Sequence, residues 1–389
     1  MPIDRAALDR NVDQLAGDLS ELATRIHDHP ELRFEEFKAA EWISEFVERH
    51  TDVKVERQLA GLPTAFRARV GSGSGPRVAV LAEYDALPEI GHACGHNLIA
   101  AGAVGAFLAL AGAARSLNGS VELIGTPAEE GGGGKIRLLE ANTFEGVDVA
   151  MMYHPFDRDI IAHPALASVW IQMSFKGSPA HAAAAPWDGQ SALTACLETF
   201  RLIDSQRVHF RDGVRVHGYV TNGGQAVNII PEHAACEFSV RATTQTELER
   251  VRAIVQRCAE GAALACGVEV ALNVRNGYRE MKNNLTVGRR FSDALAALGR
   301  KPRETDERVG AGSTDMGDVS QYVPSIHPYL GICDEGEALC HQHRFADCAR
   351  SQRGLETMLV AAKALARTAA DVLEDASLLA AAKQEFAAR

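Results

Sequence analysis

Gly91-His92-Ala93-Cys94-Gly95-His96-Asn97 and Pro127-Ala128-Glu129-Glu130 carry the chemistry most readily read from this chain of 389 residues. A thiolate and an imidazole two residues apart can face one point if the backbone between them kinks. Gly95 makes that kink cheap because it has no Cβ. Two adjacent glutamates offer one hard oxygen ligand and one carboxylate left over. Sulfur, imidazole nitrogen and carboxylate oxygen together suit a first-row transition metal. The spare carboxylate suits a proton acceptor for a water acidified by that metal. His154, in Met151-Met152-Tyr153-His154-Pro155, supplies a further nitrogen. In Cys340-His341-Gln342-His343, one histidine offers the last ligand and the other faces solvent. Asp85 is placed to orient a ligand imidazole from behind.

Taken singly these residues say little, since a buried Cys usually acts as a small hydrophobe. Their recurrence after apolar strand patterns is what gathers them. The run Gly131-Gly132-Gly133-Gly134-Lys135 is no phosphate loop, because Ile136 stands where a Ser or Thr is required. Small residues there let the backbone and a substrate approach the glutamates closely. A redox role for Cys94 lacks a resolving cysteine nearby in sequence. Further along, Lys176-Gly177-Ser178-Pro179-Ala180-His181 puts a histidine at a strand-to-turn junction. Asn222-Gly223-Gly224, Asn228 and Arg241 are the other polar features of apolar strands, and Arg suits bidentate capture of a carboxylate.

The elements that must hold these residues follow from periodicity. Helical patterns cover 4–25 and 35–50, and strands are expected at 53–57, 64–70 and 77–83, with Gly71 to Gly75 as a hairpin loop between the last two. A buried helix over 98–115, a strand at 120–125, a helix at 135–141 and a strand at 147–153 continue the alternation. That order predicts an α/β fold with a mostly parallel sheet, whose strand ends bind ligands. After His163 the order becomes strand 169–175, helix 189–206, strands 215–221 and 234–241, helix 246–265 and strand 268–274. This β-α-β-β-α-β series predicts an inserted α+β sandwich with helices on one face. Helices at 285–298 and 354–373, with a strand at 325–332, return to the first pattern. The expected division is 1–166 and 278–389 for one domain and 167–277 for the insert.

A net charge of -11 with scattered acids and bases argues against nucleic acid or an anionic membrane as partner. The longest apolar run, Leu98 to Ala114, falls short of a membrane span. The eight cysteines show no CxxC pair and read as reduced thiols. With no secretory pattern after Met1, a cytoplasmic protein is expected.

Five stretches together resemble the M20 family of metallopeptidases and amidohydrolases, in the branch of the aminobenzoyl-glutamate hydrolase B chain and the M20-domain dipeptidase-like proteins. They are Glu83-Tyr84-Asp85-Ala86-Leu87-Pro88, His92 to Leu98, Gly125 to Glu130, Asn222-Gly223-Gly224 with Asn228-Ile229-Ile230-Pro231, and Gly312-Ser313-Thr314-Asp315. The resemblance implies a catalytic domain with two divalent ions (Zn, Mn or Co) and an inserted lid domain that also forms a homodimer. By motif position Cys94 is the bridging ligand, and His96, Glu130, His154 and His341 are the others. His341 is preferred to His343 because Phe345 stands where the family has an aromatic after its ligand. Glu129 is then the general base, while His181, Asn228 and Arg241 hold substrate, His181 in the partner subunit's site. The family's early His-x-Asp is replaced here by Glu83-x-Asp85. The implied activity is hydrolysis of an amide in a small carboxylate-bearing substrate, a dipeptide or N-acyl amino acid. The alternative is a catalytically weak substrate-binding or scaffold subunit of a larger amidohydrolase.

Overall fold

Apolar periodicity of two kinds builds two compact units. One contains Met1–Pro164, Met281–Ala311 and Asp318–Arg389; the other contains Ala165–Glu280 and Gly312–Gly317. The computed structural model describes residues 2–71, 73–307 and 310–389.

The first unit begins with α1 (Arg5–Gln14), α2 (Ala16–Asp28) and α3 (Phe37–His50). Leu15, at ψ 2°, splits the single helix expected over 4–25 into two. Then come β1 (Glu56–Arg57), β2 (Phe66–Gly71), β3 (Arg77–Ala82), α4 (His96–Ala111), β4 (Ser120–Gly125), α5 (Gly134–Glu140), β5 (Val149–Met151) and β6 (His154–Phe156). The six-stranded sheet has the order β1-β2-β4-β3-β5 and then Ser325–Ile326 at its far edge. Strand β3 is parallel to both β4 and β5, and its Val78 to Ala82 run is buried, as a strand covered on both faces requires. The expected hairpin between β2 and β3 does not form. Strand β4 lies between them, antiparallel to β2 and parallel to β3, so the connection, whose Ser72 falls outside the described residues, spans a strand.

Helix α4 is buried from His96 through Leu110 because its small residues let neighbours close in. A Cβ on Gly102 would sit 2.6 Å from the Tyr153 ring, whose hydroxyl donates to the Leu98 carbonyl at 2.8 Å.

The second unit carries β7 (Ala167–Lys176), α6 (Ala192–Gln206), β8 (Arg215–Asn222), β9 (His233–Ala242), α7 (Gln245–Cys266) and β10 (Glu269–Asn276). Its antiparallel sheet has the order β10-β7-β9-β8. Alternate residues such as Ile171, Met173, Phe175, Phe238 and Val240 form its core, and both helices pack on that face. The remaining elements are α8 (Leu285–Ala297), α9 (Met316–Val319), β11 (Ser325–Ile326), β12 (Tyr329–Gly331), α10 (His343–Cys348), α11 (Gln352–Glu374) and α12 (Ala376–Ala387). The strand expected at 325–332 is thus two: β11 pairs with β5 and β12 with β6. Pro328, which has no N–H to give a ladder, lies at the break. The mixed α/β class read from the sequence holds in both units.

Candidate metal centre

Strands β3, β4 and β5 run parallel and end at one edge of the sheet, and the chain leaving each carries a reactive side chain. Glu83 and Asp85 follow β3, Glu129 and Glu130 follow β4, and His154 follows β5. Gly95, left-handed at φ 77°, turns the chain so that α4 begins at His96. A Cβ there would lie 2.9 Å from the Pro155 side chain, so glycine is required for space as well as conformation.

The sulfur of Cys94 stands 3.4 Å from Nε2 of His154 and 3.8 Å from Nε2 of His341. His341 Nε2 is in turn 3.3 Å from Oε1 of Glu130. Donor atoms of Cys94, His96 and Glu130 lie within 4.8 Å of one another, and so do those of Cys94, His154 and Cys340. The two groups share one sulfur. Oε2 of Glu129 is 4.0 Å from Nε2 of His96. His341 has a left-handed backbone (φ 69°), and its N–H donates to the Ala93 carbonyl at 2.9 Å, which pins it beside Cys94. His343 opens α10, and both histidines are exposed, although the His341 ring reaches the cluster.

Behind these groups sits a buried polar layer. Nδ1 of His96 donates to Asp85, at 3.0 Å to Oδ1 and 2.9 Å to the carbonyl, while Asp85 Oδ2 accepts the Glu130 N–H at 2.9 Å. Asp85 thereby orients one candidate ligand and the backbone of another. Burial by itself would raise the Asp85 pKa, but the charge and hydrogen bond of His96 hold it below the usual carboxylate range. Burial likewise opposes a charged His96, yet Asp85, with Glu83 and Glu130, lifts its pKa well above the ordinary value. His154 has burial as its main influence and falls to about 4. The Cys94 thiol is pushed well up, first by its hydrogen bond with Cys340 and then by burial.

Three neighbours escaped the sequence reading. Lys135, fully buried, donates to Oε1 of Glu83 at 2.5 Å, and Oε2 of Glu83 lies 3.5 Å from Nε2 of His96. The lysine after the glycine run therefore serves a carboxylate. Glu83, two residues before Asp85, was its only sequence signal. Cys340 supplies in space the second thiol that no nearby cysteine supplies in sequence. Its place next to His341 was the signal. Among the described residues all eight cysteines are free. Tyr329 packs its ring on those of His154 and His327, with centroids 5.1 Å apart in each case.

The donor set fits divalent cations. Among the described residues Nε2 of His96 is buried without a hydrogen-bond partner, Oε1 of Glu130 faces the His341 ring at 3.3 Å, and both converge on a sulfur. Soft and hard donors of this kind are normally reconciled by a metal.

His181, Asn228 and Arg241 belong to the second unit. His181 bridges to Ile229 and its Nδ1 accepts from Ala183 and Ala184, at 3.3 and 3.1 Å; the Asn228 carbonyl accepts the Ala182 N–H at 3.0 Å. Arg241 lies on β9 with its Nε buried and, among the described residues, without a hydrogen-bond partner, and burial lowers its pKa.

A parallel-sheet edge bearing a shared sulfur, imidazoles and paired carboxylates presents the donors of a divalent-metal site. Residues 79–371 match peptidase family M20/M25/M40, and the chain belongs to that family as an M20-type hydrolase. It is 38% identical to the Xaa-Arg dipeptidase of Mus musculus, over 99% of this chain and 92% of that protein. Identity with the B chain of p-aminobenzoyl-glutamate hydrolase from Escherichia coli (strain K12) is 29%, over 94% of this chain and 91% of that protein. In fold it is similar to a dinuclear metal binding peptidase of the M20 family from Bacillus subtilis (TM-score 0.73, 23% identity, covering 93% and 99%). It is also similar to the aminobenzoyl-glutamate utilization protein from Klebsiella pneumoniae (TM-score 0.72, 18% identity, covering 94% and 99%). Among the described residues no helix is long and apolar enough to cross a membrane.

Proposed function

We propose that this protein hydrolyses the amide bond of a dipeptide or an N-acyl or aroyl amino acid, with two divalent ions held by Cys94, His96, Glu130, His154 and His341. The observation that supports it is the sharing of the Cys94 sulfur between two donor groups, with Glu129 alongside. Zn, Mn or Co in such a site would polarise a scissile carbonyl and acidify a water. Glu129 takes the proton of the attacking water and returns it to the leaving amine. Asp85 keeps His96 in the tautomer whose Nε2 faces the donor cluster. His181 stabilises the oxyanion, and Asn228 and Arg241 bind the carboxylate of the amine portion. The relatives named a dipeptidase and an aminobenzoyl-glutamate hydrolase support an amide next to an amino-acid carboxylate.

Residues 1–166 and 278–389 act as the catalytic domain and 167–277 as a lid that also forms the homodimer. Strand β8 supports the latter, being an edge strand with Tyr219 and Val220 exposed. The free thiols support a reducing, cytoplasmic setting.

The test is metal analysis of the purified chain, followed by hydrolysis of N-acyl amino acids, dipeptides and aminobenzoyl-glutamate with Mn, Zn or Co. Turnover that chelation abolishes and cation restores is expected. Metal-loaded protein inert to all three classes, or activity indifferent to chelation, overturns the reading.

A further inference from the structure

Glu36, immediately before α3, is fully buried and bears no part of the chemistry described so far. Its Oε1 accepts two backbone N–H groups, from Phe34 at 2.8 Å and from Ala128 at 2.9 Å, and its Oε2 accepts the Thr64 hydroxyl at 2.8 Å. Both residues bound to Oε1 are left-handed although neither is glycine, at φ 62° for Phe34 and 59° for Ala128. That conformation is disfavoured for a residue with a Cβ and persists where the surroundings over-determine it. Here one carboxylate oxygen meets both N–H groups only while both backbones hold that turn.

Ala128 directly precedes Glu129. Its carbonyl accepts the Gly132 N–H at 3.1 Å, and a Cβ on Gly132 would stand 2.5 Å from the Ala128 methyl. On the other side of Glu129, the Glu130 N–H is bonded to Asp85. Glu129 therefore sits between two amides, each fixed by a different buried carboxylate. Asp85 also serves a histidine, whereas among the described residues Glu36 makes no hydrogen bond to a donor atom of the cluster.

We propose that Glu36 is a positioning residue for Glu129: by holding Ala128 left-handed, its carboxylate fixes the direction from which the Glu129 side chain enters the site. This rests on Glu129 being the general base. The competing role is a purely structural link between the segments carrying Phe34, Thr64 and Ala128.

The two roles separate in Glu36→Ala, Glu36→Asp and Glu36→Gln, assayed as full-length metal-loaded protein and, for backbone exchange, as metal-free protein. Glutamine keeps an oxygen for both N–H groups and turns its amide toward Thr64, whose hydroxyl accepts as readily as it donates. Aspartate keeps the charge but withdraws the oxygen by one methylene. Expected for Ala and Asp is a kcat reduced by roughly tenfold to a hundredfold, with KM and bound metal close to the parent. Hydrogen exchange of residues 127–131 should be faster in both, while Gln restores kcat and protection. If the Ala variant does not fold, the Asp variant carries the comparison. An unchanged kcat in Asp, an equal loss in Gln, or a kcat loss matched by metal loss overturns the proposal. Glu129→Ala in parallel keeps the two readings distinguishable: normal turnover there refutes the base assignment, whereas unchanged exchange at 127–131 in the Asp variant refutes the clamp.

Discussion

Lys135→Met should be among the most damaging single changes in the first unit, for a reason visible in one distance. Lys135 Nζ and Glu83 Oε1 are 2.5 Å apart, with side-chain exposures of 0% and 1%. Removing one member of such a pair leaves an uncompensated buried charge, which costs about 3–5 kcal/mol. That is a large part of the roughly 5–15 kcal/mol that holds a domain folded. Among the described residues Oε2 of Glu83 faces only the His96 ring, at 3.5 Å, and Lys135 also helps keep Asp85 ionised. Removing both charges in Lys135→Met with Glu83→Gln should recover most of the loss, because the cost lies in the unpaired carboxylate. The assay is urea unfolding of chelated protein in a Trp170→Phe, Trp187→Phe background, where Trp42 reports on the first unit alone. A single variant as stable as its parent, or a double variant no better than the single, refutes the reasoning.

Glu129→Ala should keep its metal, measured by elemental analysis, and lose turnover by roughly 10²–10⁴-fold, as loss of a general base does. Asp85→Asn should weaken metal binding by about 10–100-fold in a chelator competition, since the negative charge behind the His96 ring is lost together with the Oδ2 acceptor of the Glu130 N–H. Burial, reinforced by the negative charge of Asp85, lifts Glu36 to about 7 from an ordinary 4.5. The folded chain thus keeps a proton that the unfolded chain has released, so this residue lowers stability as pH rises from 4.5 to 7, by about 3 kcal/mol. Glu36→Gln has no such proton, and its urea midpoint should gain on the parent's between pH 5 and pH 8; parallel curves would refute the linkage.

The candidate donors were legible because their types are chemically conspicuous and because Glu129, Glu130 and His154 follow apolar strand runs. Val78 to Ala82 and Val121 to Gly125 fix where Asp85 and Glu129 emerge, and no loop detail can move them to the other edge. Elements set by helical period were placed within a few residues, as with α6 and α7. The β2–β3 hairpin was misread because glycine-rich composition marks a turn but not which strand pairs with which. The pairing of Lys135 with Glu83 was out of reach for another reason. A lysine and a glutamate 52 residues apart look solvated in any local window, and only tertiary packing buries both.

Conformation at the site was the least legible layer. Phe34, Ala128 and His341 all adopt positive φ without being glycine, so composition gives no sign of the turn. Each bent residue has its N–H taken by a fixed acceptor: the Glu36 carboxylate for the first two and the Ala93 carbonyl for the third. Each such turn costs about 1–3 kcal/mol, which these bonds and the surrounding packing must offset. Ala93 adjoins Cys94 and Ala128 adjoins Glu129, so two of the bent residues couple segments that carry the chemistry. Helices and strands bring the donors to one edge. The final approach of His341 to sulfur, and of Glu129 to the cluster, depends on acceptors that a change of one buried oxygen would remove.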